Sequence, residues 1–195
     1  MQKLRILAGL ALAGLCTGTA WAGAPVSLDQ GMKLLSQPGR WIDTDGALQP
    51  DGTYLAKEVQ IVATGDTSQT KEAAIYGAVQ SLNRAKGTMM VLGYSIAYDK
   101  DTTLKDENKR KILSSKIENG MGVKVQGHLQ PNGTFMATKI KLQKTKDGNS
   151  KPKTKLFGPA TVVDARHGLL KVLNTTIKLR DDAQITEQPL SSKAE

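Results

Sequence analysis

The side chains best suited to acid–base or metal chemistry in this chain are its two histidines, His128 and His167. A zinc site needs three or four nitrogen, sulfur or oxygen ligands held close together. Neither histidine has a second histidine at ligand spacing. We expect His128 near a strand end and His167 in a turn. The sequence therefore predicts two solvated histidines that bind no metal ion and do not act as general bases.

An acidic segment, Asp43-Thr44-Asp45-Gly46, resembles the beginning of a calcium-binding loop. The later oxygen ligands and the closing glutamate of such a loop are absent. The many serines and threonines occur without a Gly-x-Ser-x-Gly elbow and without a partner base. We therefore expect a protein that is not an enzyme, with no catalytic residues, no metal and no cofactor.

The strongest electrostatic feature is a group of lysines in the second half of the chain. Three of them, on the predicted outer face of two strands, are followed by a lysine-rich segment: Lys124, Lys139, Lys141, then Lys144, Lys146, Lys151, Lys153 and Lys155. The net charge of +9 favours anionic partners. These lysines predict an anion-binding strip for an acidic polysaccharide, an anionic envelope surface or nucleic acid. The alternative is an ordinary solvated face.

Exposed aromatic rings are what a protein uses to stack the bases of single-stranded nucleic acid. Aromatic residues make up only 4% of this chain. Several of them occupy matching positions in an internal repeat, which fits core packing better than binding. Tyr94 and Tyr98 remain the best stacking candidates. We therefore expect a partner other than nucleic acid.

The chain repeats itself with a shift of 81 residues and without a gap. The shift places residues 46–61 over 127–142, and residues 75–101 over 156–182. Internal repetition of this kind indicates that one structural unit was copied. We call two residues related by this shift counterparts.

The repeat exposes a charge reversal. The counterparts of Lys124, Lys139 and Lys141 are Asp43, Glu58 and Gln60. A copied face that only meets water has no need to change charge in this one-sided way. The reversal favours a binding role for the lysines. It also leaves open that the basic face of one copy docks on the acidic face of the other.

The central copy, about residues 74–143, contains a complete unit. Alternating apolar residues predict strands at 78–82, 88–98, 123–129 and 134–143, with a helix from Asp106 to about Glu118. Ala137 and Ile140 are three positions apart in the last strand, which predicts a bulge near Thr138 or Lys139. A small OB (oligonucleotide/oligosaccharide-binding) barrel has three strands, a helix and two strands in that order, and the unit resembles it in having strands, then a helix, then two further strands.

The outer copies are halves of this unit. Residues 28–63 match its helix and last two strands, and residues 156–185 match its first three strands. Neither half has enough strands to bury an apolar face alone. We therefore predict an all-β protein of two five-stranded OB-like barrels, each with a short helix. One barrel is contiguous at 74–143, and the other is closed by 28–63 with 156–187. The polar segments 64–73 and 144–155 are predicted linkers.

The first 22 residues have the pattern of a secretory signal peptide. Two basic residues precede an apolar run, and Ala20-Trp21-Ala22 fits a cleavage site. A leucine precedes Cys16, where a lipidated cysteine would follow a small residue. No later stretch is long and apolar enough for a transmembrane helix. We expect an exported protein that is periplasmic, surface-associated or secreted, with no disulfide after cleavage.

Residues 117–140, which read IENGMGVKVQGHLQPNGTFMATKI, carry a recognisable motif. An apolar residue precedes x-x-Gly-x-x-Val-x-Val-x-Gly, and Asn-Gly and Ala-x-x-Ile follow. This motif resembles that of a family of exported bacterial domains of unknown function, and residues 77–98 resemble the opening strands of that family. The outer copy departs from it at residues 39–46, which lack both valines. The resemblance implies an OB-like β-barrel and transfers no catalytic residues.

Together these features predict a non-enzymatic binding or scaffold module of the cell envelope. Its lysines would bind an anionic polysaccharide or the envelope surface. A structural adaptor for an envelope protein is the main alternative, and an OB-fold nucleic-acid binder is a further one. The salt dependence of binding distinguishes the polysaccharide binder from the adaptor, because polymer binding through several lysines weakens steeply as salt rises.

Overall fold

This computed structural model describes residues 24–62, 72–143 and 152–188. Within these residues the chain is mostly β. In order, its elements are β1 (Ala24–Pro25), α1 (Leu28–Leu35), β2 (Trp41–Leu48), β3 (Tyr54–Val62), β4 (Ala73–Asn83), β5 (Thr88–Val91), β6 (Tyr94–Ala97), β7 (Thr103–Lys105), β8 (Gly122–Leu129), β9 (Phe135–Leu142), β10 (Lys155–Asp164), β11 (Leu169–Val172) and β12 (Thr175–Gln188). The predicted signal peptide, residues 1–22, and most of both predicted linkers lie outside the described residues.

Five strands of the central copy close a barrel. β4 pairs with β5 and β8, β5 pairs with β6, and β8 pairs with β9. The barrel closes where β6 and β9 run parallel, with Ile96 opposite Phe135. Both of these side chains are fully buried. The prediction of a mostly β chain containing a closed five-stranded barrel is confirmed, and we call β4, β5, β6, β8 and β9 the central barrel.

The single strand predicted at 88–98 is wrong, because this segment is a hairpin of β5 and β6. Leu92 and Gly93 form its turn, with φ values of 52° and 80°. Two positive φ values suit the twist of a two-residue hairpin. Val91 and Tyr94 lie opposite each other across the turn, and both are buried. The inward positions are therefore odd-numbered before the turn and even-numbered after it, which a single alternating strand does not allow.

The helix predicted from Asp106 to Glu118 is also wrong. Asp106 accepts hydrogen bonds from the backbone N–H and from Nε of Arg110, each at 2.8 Å, and these bonds close a tight turn. Only a 3-10 turn, Ser114–Lys116, follows. Leu113, part of the predicted apolar stripe, is 75% exposed, whereas Ile117 is fully buried. A helix of this length depends on burying one face, and this segment does not bury one.

The outer copy does form its helix, at α1. Ser27 accepts a hydrogen bond from the backbone N–H of Gln30, and the Gln30 side chain accepts one from the backbone N–H of Ser27. This reciprocal arrangement is a capping box. Met32 and Leu35, each 2% exposed, anchor the helix to the core. No helix in the described ranges is long and apolar enough to span a membrane.

The bulge predicted near Thr138 or Lys139 is confirmed. Thr138 has no opposite residue in the ladder between β8 and β9, and its counterpart Lys57 has none between β2 and β3. Gly127 and its counterpart Gly46 lie beside these bulges. A Cβ on either glycine would collide with a backbone oxygen of the neighbouring strand. Both copies therefore place a glycine where the bulged strand comes closest to its partner.

The two ends of the described chain pair with each other. β10 pairs with β2 and β11, β11 with β12, and β2 with β3. β12 then pairs with β3 in parallel, with Ile177 opposite Tyr54. We call β2, β3, β10, β11 and β12 the terminal circuit. In the sequence, β2 and β3 precede the central barrel, and β10, β11 and β12 follow it.

The terminal circuit and the central barrel share a seam at β10. Lys155, Leu156 and Phe157 pair with β2 on one side and with β4 on the other. The buried apolar side chains of both sets of strands form one continuous cluster. The core of this structure therefore runs through the seam.

Candidate anion-binding surface

Four lysines lie side by side on the outer face of β7, β9 and β8. Lys141 of β9 lies directly opposite Lys124 of β8 and, on its other side, opposite Lys105 of β7. Lys139 lies two residues before Lys141 on β9. Val123 and Val125, on either side of Lys124, and Ile140, between Lys139 and Lys141, are buried in the core, so these three lysine side chains point outward. We call these four residues, Lys105, Lys124, Lys139 and Lys141, the lysine strip.

The lysine strip concentrates positive charge. Neighbouring strands are about 4.8 Å apart, and like charges directly opposite each other destabilise a sheet. Within the described ranges no carboxylate forms an ion pair with a lysine of the strip. Lys124 Nζ lies 5.1 Å from the centre of the Tyr76 ring, which gives one of the four charges a cation–π contact. The lysines of the strip therefore repel one another, and a bound anionic ligand would reduce this repulsion.

The central barrel and β7, which together carry the strip, resemble a known family. Residues 76–141 match the family described as Domain of unknown function (DUF5666). This DUF5666 segment contains all four lysines of the strip, and it runs from within β4 to within β9. No curated protein and no solved structure matches the chain. The predicted resemblance to an uncharacterised domain is therefore confirmed for this segment.

The acidic face of the outer copy lies on the same sheet, beside the DUF5666 segment. One row of directly opposed residues runs from Glu58 and Asp45 through Lys155 to Tyr76 and Lys124. Lys155 Nζ lies 3.8 Å from Asp45 Oδ2. The outer face of this sheet thus changes from acidic on β3 and β2 to basic on β8, β9 and β7.

Asp43 lies in the next row and is partly buried at the seam. Burial raises its pKa, and the charges of Lys155 and Lys124 act in the opposite direction. Its Oδ1 atom is buried and has no hydrogen-bond partner in the described part of the chain. The basic and acidic faces therefore interact through the Lys155–Asp45 ion pair and through the charge of Lys124 near Asp43. Within the described residues Lys139 and Lys141 form no ion pair, so this contact does not account for them.

The lysine-rich segment is only partly described. Lys144, Lys146 and Lys151 lie outside the described residues. Lys153 is exposed, and its backbone N–H donates to Gln143 Oε1 at 3.1 Å. Lys155 is the partner of Asp45. Lys105, in contrast, is not among the predicted site residues, because no pattern in the sequence indicates that β7 pairs with β9.

The two tyrosines predicted as stacking residues are buried. Tyr94 is 7% exposed and Tyr98 is 8% exposed. The Tyr94 hydroxyl lies 2.6 Å from Thr175 Oγ1 and donates to the carbonyl oxygen of Val172 at 3.2 Å. Burial raises the pKa of Tyr94 to about 12. A base could not stack on either ring without moving the side chain, so we do not retain them as stacking residues.

Neither histidine belongs to the lysine strip. His128 is exposed on β8. His167 is exposed in the turn after β10, and its Nδ1 lies 2.7 Å from Asp164 Oδ2. Hydrogen bonds from His167 hold the pKa of Asp164 below its usual range. Among the residues described, no three histidine, cysteine, aspartate or glutamate side chains gather in a group that could hold a metal ion.

Proposed function

We propose that this protein is an exported, non-enzymatic binding module that holds an anionic polymer of the cell envelope on the lysine strip. The observation that carries the proposal is the directly opposed arrangement of Lys105, Lys141 and Lys124. Such a row is unfavourable unless it is solvated or neutralised. An acidic polysaccharide fits this need, because it places several anionic groups along one strand. Export is supported by the signal-peptide pattern of residues 1–22.

We further propose that the terminal circuit is a second OB-like barrel, related to the central barrel by duplication. Two features support this relationship. Each set contains one parallel pairing, between β6 and β9 and between β12 and β3. Each has its bulge at a counterpart position, Thr138 and Lys57. In this proposal the charge reversal gives the two barrels different surfaces, and only the central barrel binds the polymer.

A column experiment tests the proposed function. Mature protein would be loaded on immobilised heparin, which serves as the anionic polysaccharide probe. Changing Lys124, Lys139 and Lys141 together to Gln should lower the salt concentration at which the protein elutes. The three lysines are half-buried, but their charged ends point away from the core, so we expect the Gln variant to stay folded; its urea unfolding transition checks this.

The matched control removes the same charge elsewhere. Lys33, Lys171 and Lys178 are exposed and lie outside the strip, and changing all three to Gln should leave elution nearly unchanged. If the two variants had equal effects, heparin binding would depend only on the net charge of the protein, and this result would contradict the proposal. The adaptor alternative would be favoured by two results together. The protein would not be retained on heparin, and it would bind a protein partner with an affinity that does not fall as salt rises.

A further inference from the structure

A second surface of the central barrel is a groove formed by loops. Its walls are the turn between β4 and β5, the segment from Tyr98 to Leu104, and residues 111–114. The groove has a volume of about 860 Å³. It is a different surface from the lysine strip, although both include residues of β7.

Tyr98 is one of the residues that line this groove, and its side chain carries a buried hydroxyl group. The residue is 8% exposed, and its hydroxyl oxygen is buried with no hydrogen-bond partner in the described part of the chain. A buried polar atom without a partner costs free energy and calls for an explanation. Packing does not require the hydroxyl, because the counterpart of Tyr98 is Leu179, which is buried to a similar extent at 5% exposure.

Arg84 lies on the same wall and is held in place. One of its terminal nitrogens donates to the carbonyl oxygen of Ile117 at 2.7 Å, which ties the turn after β4 to the segment before β8. Burial raises the pKa of Tyr98, and the nearby Arg84 charge opposes that rise. A guanidinium group has five N–H donors, so most of them remain for a ligand.

The remaining charges of the groove favour an anion. Lys86, Lys100 and Lys111 line it together with Arg84. Two aspartates also line it, but Asp99 Oδ1 already accepts hydrogen bonds from the backbone N–H groups of Asp101 and Thr102. The terminal circuit does not repeat this charge. The counterparts of the four cations are Ala165, His167, Asp181 and Gln30.

We propose that this groove binds a compact oxyanion, a phosphate or sulfate group, with Arg84 as one hydrogen-bond donor and the Tyr98 hydroxyl, after a small movement of its side chain towards the groove, as the other. Lys86, Lys100 and Lys111 provide the surrounding positive charge. The oxyanion is either a free ion or a group carried by a glycan, and the chemistry of recognition is the same. The site does not depend on the lysine strip.

The test uses the whole mature protein and three probes: inorganic phosphate, inorganic sulfate and a sulfated disaccharide. Binding would be followed by two-dimensional amide NMR and by calorimetry. The amides of Gly87, Tyr98 and Thr102 should shift on addition of at least one probe. A response to the inorganic ions assigns the groove to a free oxyanion, and a response to the disaccharide alone assigns it to a glycan-borne group.

Tyr98→Phe is the decisive variant, because the Leu179 counterpart indicates that the fold accepts an apolar residue there. Loss of a hydrogen bond to a charged group should weaken binding by roughly tenfold or more. In the Lys124, Lys139 and Lys141 to Gln variant, the amides of the groove should shift with the probes as they do in the parent, which separates this site from the strip. The proposal is overturned if no probe shifts the groove amides, or if Tyr98→Phe binds as tightly as the parent.

Discussion

Ile75 and Leu156 lie directly opposite each other in the ladder between β4 and β10, and both are completely buried. They are also counterparts in the repeat. Their neighbours follow the same symmetry, since Tyr76 lies opposite Lys155 and Ala74 opposite Phe157. The two copies are thus related by a local two-fold axis that passes through this pair.

Truncating this pair should destabilise the whole chain. Leu156→Ala and Ile75→Ala should each lower the free energy of unfolding by about 2–5 kcal/mol, the range for buried aliphatic residues. The double variant should deviate from additivity by about 0.5–3 kcal/mol because the residues are neighbours. Urea unfolding measures all three values. Val163→Ala, at a 59% exposed position, is the control and should change stability little.

The central barrel should fold when separated from the ends of the chain. Residues 72–143 contain all five strands of its closed circuit. We expect a cooperative urea transition for this fragment, with a lower midpoint than the parent because Ile75 loses Leu156 and Tyr94 loses Thr175. Residues 24–62 alone should not fold, since β3 and β2 then lack β12 and β10. A fragment 72–143 without a cooperative transition would mean that the two sets of strands form one folding unit.

Tyr94 should make stability fall at alkaline pH. Its folded pKa is raised to about 12 by burial, above an ordinary value near 10, so the folded state holds this proton more tightly than the unfolded state. The resulting stability is fully present below pH 10 and is lost as pH rises from about 10 to 12.

Tyr94→Phe removes both this proton and the contacts with Thr175 and Val172. The variant should be less stable than the parent at pH 8, by about 1 kcal/mol, and should lose less stability between pH 10 and 12. Urea midpoints measured across that range provide the comparison. Parallel curves for the variant and the parent would show that Tyr94 does not contribute to the alkaline loss.

The repeat and the spacing of apolar residues predicted much of this fold because they record local backbone geometry. The bulge at Thr138 follows from the three-residue step between Ala137 and Ile140. The turn at Leu92 was missed because a leucine with positive φ is rare and gives no turn signal. The helix at Asp106 was wrong because a capping residue also closes a turn.

The candidate surface was harder to predict because it depends on pairings between distant residues. Lys124, Lys139 and Lys141 are recognisable from strand alternation alone. Lys105 joins them only because β7 pairs in parallel with β9. Tyr94 remained a stacking candidate because nothing in the sequence indicates that Thr175 of the other copy covers its hydroxyl. The pattern of residues within single strands therefore does not predict the contacts across the seam.

The salt dependence of heparin binding tests the central claim most directly. The association constant of the mature protein would be measured at several salt concentrations, for the parent and for the Lys124, Lys139 and Lys141 to Gln variant. Each cation that neutralises an anionic group contributes roughly one unit to the slope of log association constant against log salt. We predict a steep slope for the parent and one lower by about two to three for the variant, with the Lys33, Lys171 and Lys178 variant unchanged. A parent affinity that does not depend on salt, or equal slopes for parent and strip variant, would contradict polymer binding on the lysine strip.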